Sequence, residues 1–296
     1  MLLPVGAICI AYGVTGTLPN VYPADYVEGY YPLFLLVMLG VYLAVMATAC
    51  FVPKLRRYAV HYAYLVAAVF LLVELLDVLT LKTGYLLLPF APSPDRILEA
   101  VPKNIEAYAT NLTASMMLLA EGVVIGLVTG FATGLLMGWS KIANYWFAPL
   151  LKVIGPVPSA HLAGVFLISV AIWFPLSLML SSAIRSTDKR KIEAARVMGA
   201  SEPYILFHVA LPAAVPDIFT ALFMGLSSSF GALIISEQLG VKAGLGWYIN
   251  WATQWGEYYK VFASVGIFII IFYLLINVLF KVRDRVMTWQ KSVVRW

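Results

Sequence analysis

Long apolar runs separated by short polar or proline-bearing stretches dominate the chain. Residues 30–52, 59–82, 108–138, 162–185, 205–235 and 258–280 are each mostly apolar over roughly 20 residues or more, the length a helix needs to cross a bilayer. Two segments are weaker. Residues 2–17 are apolar but short, and 143–160 is interrupted by prolines and Lys152. The pattern predicts an all-α membrane protein of about eight helices, with no tandem repeat of solenoid length and no low-complexity linker.

Composition agrees. Of 296 residues, 62% are apolar and 12% charged. Soluble domains carry about 25% charged residues, so a soluble enzyme is excluded, and the apolar content excludes disorder. The basic residues then orient the helices. Fourteen of the twenty Lys and Arg fall on one side, among them Lys54, Arg56, Arg57, Lys141, Arg185, Lys189, Arg190, Lys191 and the C-terminal group from Lys281 to Arg295. The positive-inside rule makes that side cytoplasmic, so the net charge of +5 reflects topology and not nucleic-acid binding. The loop at 186–204 and the tail at 286–296 then face the cytoplasm, and the loops at 18–29, 83–107 and 236–257 face outward. Residues 1–17 lack Lys, Arg and a small-residue cleavage pattern, so an uncleaved first helix is expected. Cys9 and Cys50 lie in apolar runs and read as buried small hydrophobes.

The cytoplasmic loop IRSTDKRKIEAARVMGASEPYILFHVALPAAVPDI carries the most specific pattern. Asp188 suits a helix N-cap. Residues 189–198 form a short amphipathic helix, with Ile192, Ala195, Val197 and Met198 as its apolar side. Gly199 is a natural stop because glycine accepts the left-handed conformation. Ser201, Glu202 and Pro203 look like a second start. Leu211-Pro212 marks re-entry into the bilayer.

Glu193, Ala194, Ala195, Gly199, Val209, Leu211 and Pro212 are spaced as E-A-A-x(3)-G-x(9)-hydrophobic-x-L-P. This resembles the EAA loop of binding-protein-dependent ABC importer permeases. The runs ASMMLLAEGVVIGLVTGFATGLLMGWS and ALFMGLSSSFGALIISEQLGVKAGLGWYI resemble segments of the nitrate/sulfonate/taurine-type members. The resemblance implies a type I ABC importer transmembrane domain. Its six-helix core would occupy 58–285, with two added helices in 1–57 and a coupling loop at 186–212. It implies that Glu193, Ala194, Ala195, Gly199, Ala200, Ser201, Leu211 and Pro212 meet a cytoplasmic ATPase. It also implies two copies of that ATPase, a permease homodimer, an extracytoplasmic solute-binding protein and a bacterial cytoplasmic membrane. ATP and Mg would bind the partner ATPase, and no cofactor would bind this chain. Three features depart from the family: the two extra helices, Glu121 where Arg is usual, and a shortened stretch from Pro158 to Glu193.

Ionisable residues within spans suggest function by default. Glu74 and Asp77 share a helix face near the outer end and read as interfacial charges or an interhelix contact. Glu121, near mid-span, should be paired, protonated or facing a polar cavity. Asp217 reads as helix or loop bracing, and Glu237 matches the family's acidic position at the outer end of its helix, where it would brace the outer gate. Ser227, Ser228 and Ser229 suit either close helix packing or a polar pore lining. Gly126, Gly130, Gly134 and Gly138 form a packing stripe on one helix face. His61, His161 and His208 lack metal-ligand spacing.

No G-x-x-x-x-G-K-[ST] occurs, so this chain has no ATPase site of its own and is not an enzyme. The reading is the permease subunit of an ATP-driven importer working by alternating access. Glu121 keeps open a proton-coupled secondary transporter or channel, or a membrane-embedded enzyme. The Glu121, Ser227, Ser228, Ser229 and Glu237 positions are its candidate translocation path.

Overall fold

The computed structural model describes residues 2–22, 29–153, 160–241 and 243–288. Every regular element among them is helical: α1 (Leu2–Thr17), α2 (Tyr30–Phe51), α3 (Pro53–Asp77, extended by a π turn Val78–Lys82), α4 (Pro94–Lys103), α5 (Ile105–Trp139), α6 (Lys141–Val153), α7 (Ala160–Arg185), α8 (Lys189–Val197), α9 (Glu202–Ile205, running through a π turn Leu206–Ala210), α10 (Leu211–Gly240), α11 (Leu245–Gln254) and α12 (Tyr258–Val286). Six stretches are long and apolar enough to cross a membrane: 30–51, 55–82, 105–139, 164–185, 202–239 and 258–286. They coincide with the six strong runs of the sequence. Parts of the expected 18–29 loop, the end of the 143–160 segment, Lys242 and most of the 286–296 tail lie outside the described residues.

The chain divides into two compact units, Met1–Tyr108 with Trp251–Gly266, and Ala109–Asn250 with Ile267–Trp296. In the first, local chemistry sets the breaks. Val52 is extended (φ −117°, ψ 102°) before Pro53, which opens α3, because a residue preceding proline is driven out of the helical region. Ser93 caps α4, its hydroxyl accepting from the Arg96 N–H, with Pro94 following. Ile8, Ala11, Tyr31 and Leu35 form the core where α1 meets α2, with Phe70, Val73 and Leu98 packed on it. Tyr31 also ties three helices: its N–H donates to Asp95 at 2.7 Å and its hydroxyl to Glu74 at 2.9 Å. Lys82 Nζ donates to the carbonyls of Thr15 and Leu18, closing the end of α1. Glu74 and Asp77 are thus buried, Glu74 as an interhelix contact and neither as an interfacial charge. Cys9 and Cys50, expected to be buried, are both exposed.

The second unit is built on α7. Along α5, Gly122, Gly126, Gly130, Gly134 and Gly138 leave room for α7. A Cβ on Gly126 would stand 2.6 Å from the Ser169 carbonyl oxygen, and one on Gly138 2.9 Å from Ile184. The facing positions rise together, 122 with 168 and 138 with 184, so α5 and α7 run parallel. The glycine stripe therefore packs as expected and begins one turn earlier, at Gly122. A mid-span polar knot joins the same pair: Trp173 Nε1 donates to Thr133 Oγ1 at 2.9 Å, and Thr133 and Ser177 share a 2.6 Å hydrogen bond. On its other side α7 packs antiparallel to α10, with Gly164 beside Ser236 and Gly225 against Ile172. Phe230 meets Phe268 and Phe272 edge-on, and Phe223 stacks on Phe280, so α12 runs antiparallel to α10.

Candidate functional site

At one end of the second unit the ends of α5 and α7 and the start of α10 form an apolar platform. Leu180, Ala183, Ile184, Leu206, Ala210 and Ala214 are its buried centre, flanked by Leu135, Trp139, Leu211 and Ile218. The Arg185 guanidinium donates to the Met137 carbonyl, a cation at a helix C-terminus where the dipole favours one. The α8 loop packs beside the π turn Leu206–Ala210, which supplies Leu206 and Ala210 to this platform. Asp188 caps α8, its carboxylate accepting from the Arg190 N–H at 3.0 Å. The helix ends in a Schellman motif: the Gly199 N–H donates to the Arg196 carbonyl at 2.9 Å and the Ala200 N–H to Ala195 at 3.0 Å, with Gly199 at φ +83°. Gly199 therefore does what its position predicts. Ser201 sits at the next N-cap with extended backbone, but its hydroxyl makes no capping bond. Arg196 pairs instead with Glu202 at 2.9 Å across the bend.

The faces of this loop differ from expectation in one respect. Ile192 and Ala195, three apart, turn inward, and Ala195 is 5% exposed. Val197 and Met198 protrude, 89% and 80% exposed. They sit on the terminal turn, past the last residue that the helix can hold against the platform. Glu193 and Ala194 are also exposed. Leu211 and Pro212 do not begin a new helix. The chain runs helical from Glu202 to Gly240, and the π turn ending at Ala210 absorbs the amide that Pro212 lacks.

At the opposite end of the same unit a second polar cluster forms. The Gly244 N–H donates to Asn111 Oδ1 at 3.0 Å, the Leu245 N–H to Ser115 Oγ at 2.8 Å, and the Gly246 N–H to Glu237 Oε2 at 2.7 Å. Glu237 is 0% exposed. Sequence reading named Glu237 but missed Asn111 and Ser115. The signal was only that two polar residues lie four apart in an apolar run, a spacing that puts them on one helix face.

The family described as binding-protein-dependent transport system inner membrane component matches residues 30–288. The chain belongs to this family. It is 28% identical to the taurine transport system permease protein TauC of Escherichia coli (strain K12) over 239 residues, covering 72% of this chain and 86% of that protein. It is 27% identical over 152 residues to the putative aliphatic sulfonates transport permease protein SsuC of Bacillus subtilis (strain 168), covering 47% and 55%. It is 26% identical over 182 residues to the nitrate import permease protein NrtB of Synechocystis sp., covering 53% and 66%. The chain is thus an all-α, multi-pass inner-membrane permease of an ABC transport system, of the nitrate/sulfonate/taurine type.

The remaining positions of this permease scatter. Glu121 is exposed and has no partner among the described residues. It shares an open α5 face with Met117, Val124 and Val128, which are 62%, 59% and 65% exposed. The expected pairing is thus not formed among the described residues. The three serines diverge by helical geometry. Ser228 is exposed, while Ser229 is buried and bonds back to the Leu226 carbonyl. Ser227 bonds back to the Phe223 carbonyl. Asp217 is exposed and braces nothing among the described residues. No cluster of His, Cys, Asp and Glu suited to a metal occurs among the described residues.

Proposed function

We propose that this permease is the membrane-spanning subunit of an ATP-driven importer. Two copies form the translocation path, two cytoplasmic ATPase subunits bind the α8 loops, and an extracytoplasmic binding protein delivers a small solute. One observation carries the reading. A short helix ends in a Schellman turn, presents Val197 and Met198 to solvent, and packs beside the π turn whose Leu206 and Ala210 belong to the cluster joining α5, α7 and α10. A push on that turn reaches three spanning helices through close-packed side chains, which transmit displacement and do not absorb it. Glu193, Ala194, Ala195, Gly199, Ala200 and Ser201 belong to the docking element, and Leu211 and Pro212 to its root. ATP and Mg bind the ATPase subunits. Alternating access follows when ATP-driven closure of the ATPases moves the two loops. The excess of basic residues on one side supports a cytoplasmic α8 loop and C-terminus.

The exposed α5 face around Glu121 supports a role at the interface between two copies. A carboxylate left open to lipid is costly, and a second copy would enclose it against Ser228 or water. Relatives named for transport of taurine, aliphatic sulfonates and nitrate support a small polar solute as the cargo here.

The test is co-purification of the tagged chain from its native membrane, followed by ATPase assay and uptake in proteoliposomes. A stoichiometric ATPase, with uptake that needs ATP, is expected. A chain that purifies alone and takes up solute on a proton gradient, with Glu121→Gln abolishing that uptake, would overturn the importer in favour of the secondary transporter.

A further inference from the structure

The cluster at the far end of the second unit has an unusual construction. Gly244, Leu245 and Gly246 are consecutive, and each N–H reaches a different side chain. These are the amides at the start of α11, which have no acceptor within their own helix. The acceptors are Asn111 and Ser115 on α5 and Glu237 on α10, and all three are buried. Both glycines are dictated by the fit. A Cβ on Gly244 would stand 2.5 Å from Glu237 Oε1, one on Gly246 2.9 Å from Oε2, and Gly244 has φ +132°. Glu237 has no ion-pair partner among the described residues. A carboxyl group buried without a cation is a poor stabiliser, and an apolar side chain of similar size would hold two helices together at less cost. Acceptors of backbone N–H groups do something that apolar contact does not: their bonds are directional and hold one register.

We propose that Asn111, Ser115 and Glu237 are positioning residues for transport, which latch the start of α11 against α5 and α10 in the closed outer state and let it go when the outer side opens. The inference rests on the importer reading above. Glu237 acts as a hydrogen-bond acceptor, and its charge is not what the latch uses. The amide oxygen of glutamine would serve equally, whereas alanine would leave the Gly246 N–H with nothing to bond.

Hydrogen–deuterium exchange of the full permease with its ATPase subunits in nanodiscs tests this, read on the peptide covering 243–250. Slow exchange is expected without nucleotide, and exchange at least about tenfold faster in the complex trapped with ATP and vanadate, the factor one net hydrogen bond carries. Equal protection in both states would make the cluster a static brace and overturn the latch. So would the absence of protection in both states. Glu237→Ala is expected to raise exchange about tenfold without nucleotide, and Glu237→Gln to restore both protection and uptake. If Glu237→Gln keeps protection but abolishes uptake, the carboxyl carries charge or a proton and the positioning role is wrong. Should Glu237→Ala fail to fold, the two-state comparison on the unaltered protein still decides. A failure of the importer reading is recognisable separately, as loss of any ATPase partner while the nucleotide-free protection stands.

Discussion

At the scale of the residue, Gly199 is a position where backbone conformation alone dictates identity. It stands at φ +83° with nothing within 4 Å of where a Cβ would be. Space is therefore not the constraint, and the left-handed backbone is. A non-glycine residue there costs about 1–2 kcal/mol, more if β-branched, and Asn least. Gly199→Val is expected to insert and accumulate normally yet reduce ATP-driven uptake at least tenfold, whereas Gly199→Asn keeps most of it. Uptake per inserted protein in proteoliposomes measures both, and normal transport by Gly199→Val would remove the bend from the mechanism. Such local features were legible because their causes are local: Asp188 and Gly199 are read from a few neighbours. Asn111 and Ser115 were not, because their partners Gly244 and Leu245 lie more than 100 residues away and bond through main-chain groups that no side-chain pattern reveals.

At the scale of the element, the α5–α7 pair shows what periodicity can and cannot give. Glycines every four residues announced a packing face on α5 but not which helix would fill it, nor that the two would run parallel. Parallel neighbours require the chain to return between them, and α6 lies on that return. Apolar-run length could not settle this segment, because Pro149 and Lys152 break it into something too short to score as a span. The closeness of the α5–α7 approach yields a sharp expectation. Even one methyl at Gly126 meets main-chain atoms, the Ser169 carbonyl oxygen at 2.6 Å, and main chain cannot swing aside as a side chain can. Gly126→Ala should destabilise the permease by about 1–3 kcal/mol through overpacking, although alanine is the better helix former. Gly40→Ala on α2, where nothing lies within 4 Å, should be neutral or slightly stabilising. Thermal melts in detergent followed by size-exclusion chromatography compare the two. Equal melting temperatures would mean that α5 and α7 are not packed backbone to backbone.

At the scale of the whole molecule, the protruding turn of the α8 loop sets the last expectation. Exposed Val and Met at 89% and 80% are unfavourable in water unless something covers them. Among the described residues the loop is held by other groups: Ile192 and Ala195 turn inward, Asp188 caps its start, and Arg196 and Glu202 pair across its bend. Charge placed at the tip should therefore leave the permease intact and affect only what docks there. Burying an unpaired carboxylate in an apolar contact costs several kcal/mol, enough to separate a complex of ordinary affinity. Val197→Asp combined with Met198→Asp is expected to preserve the detergent melting temperature and membrane level while the ATPase subunit no longer co-purifies. Reversing the exposed Arg196–Glu202 pair, worth at most about 1 kcal/mol, should leave the complex nearly unchanged. If the double substitution retained its ATPase at full stoichiometry, the docking surface would have to lie elsewhere on the cytoplasmic face. The platform beneath α8 would then be a packing core and nothing more.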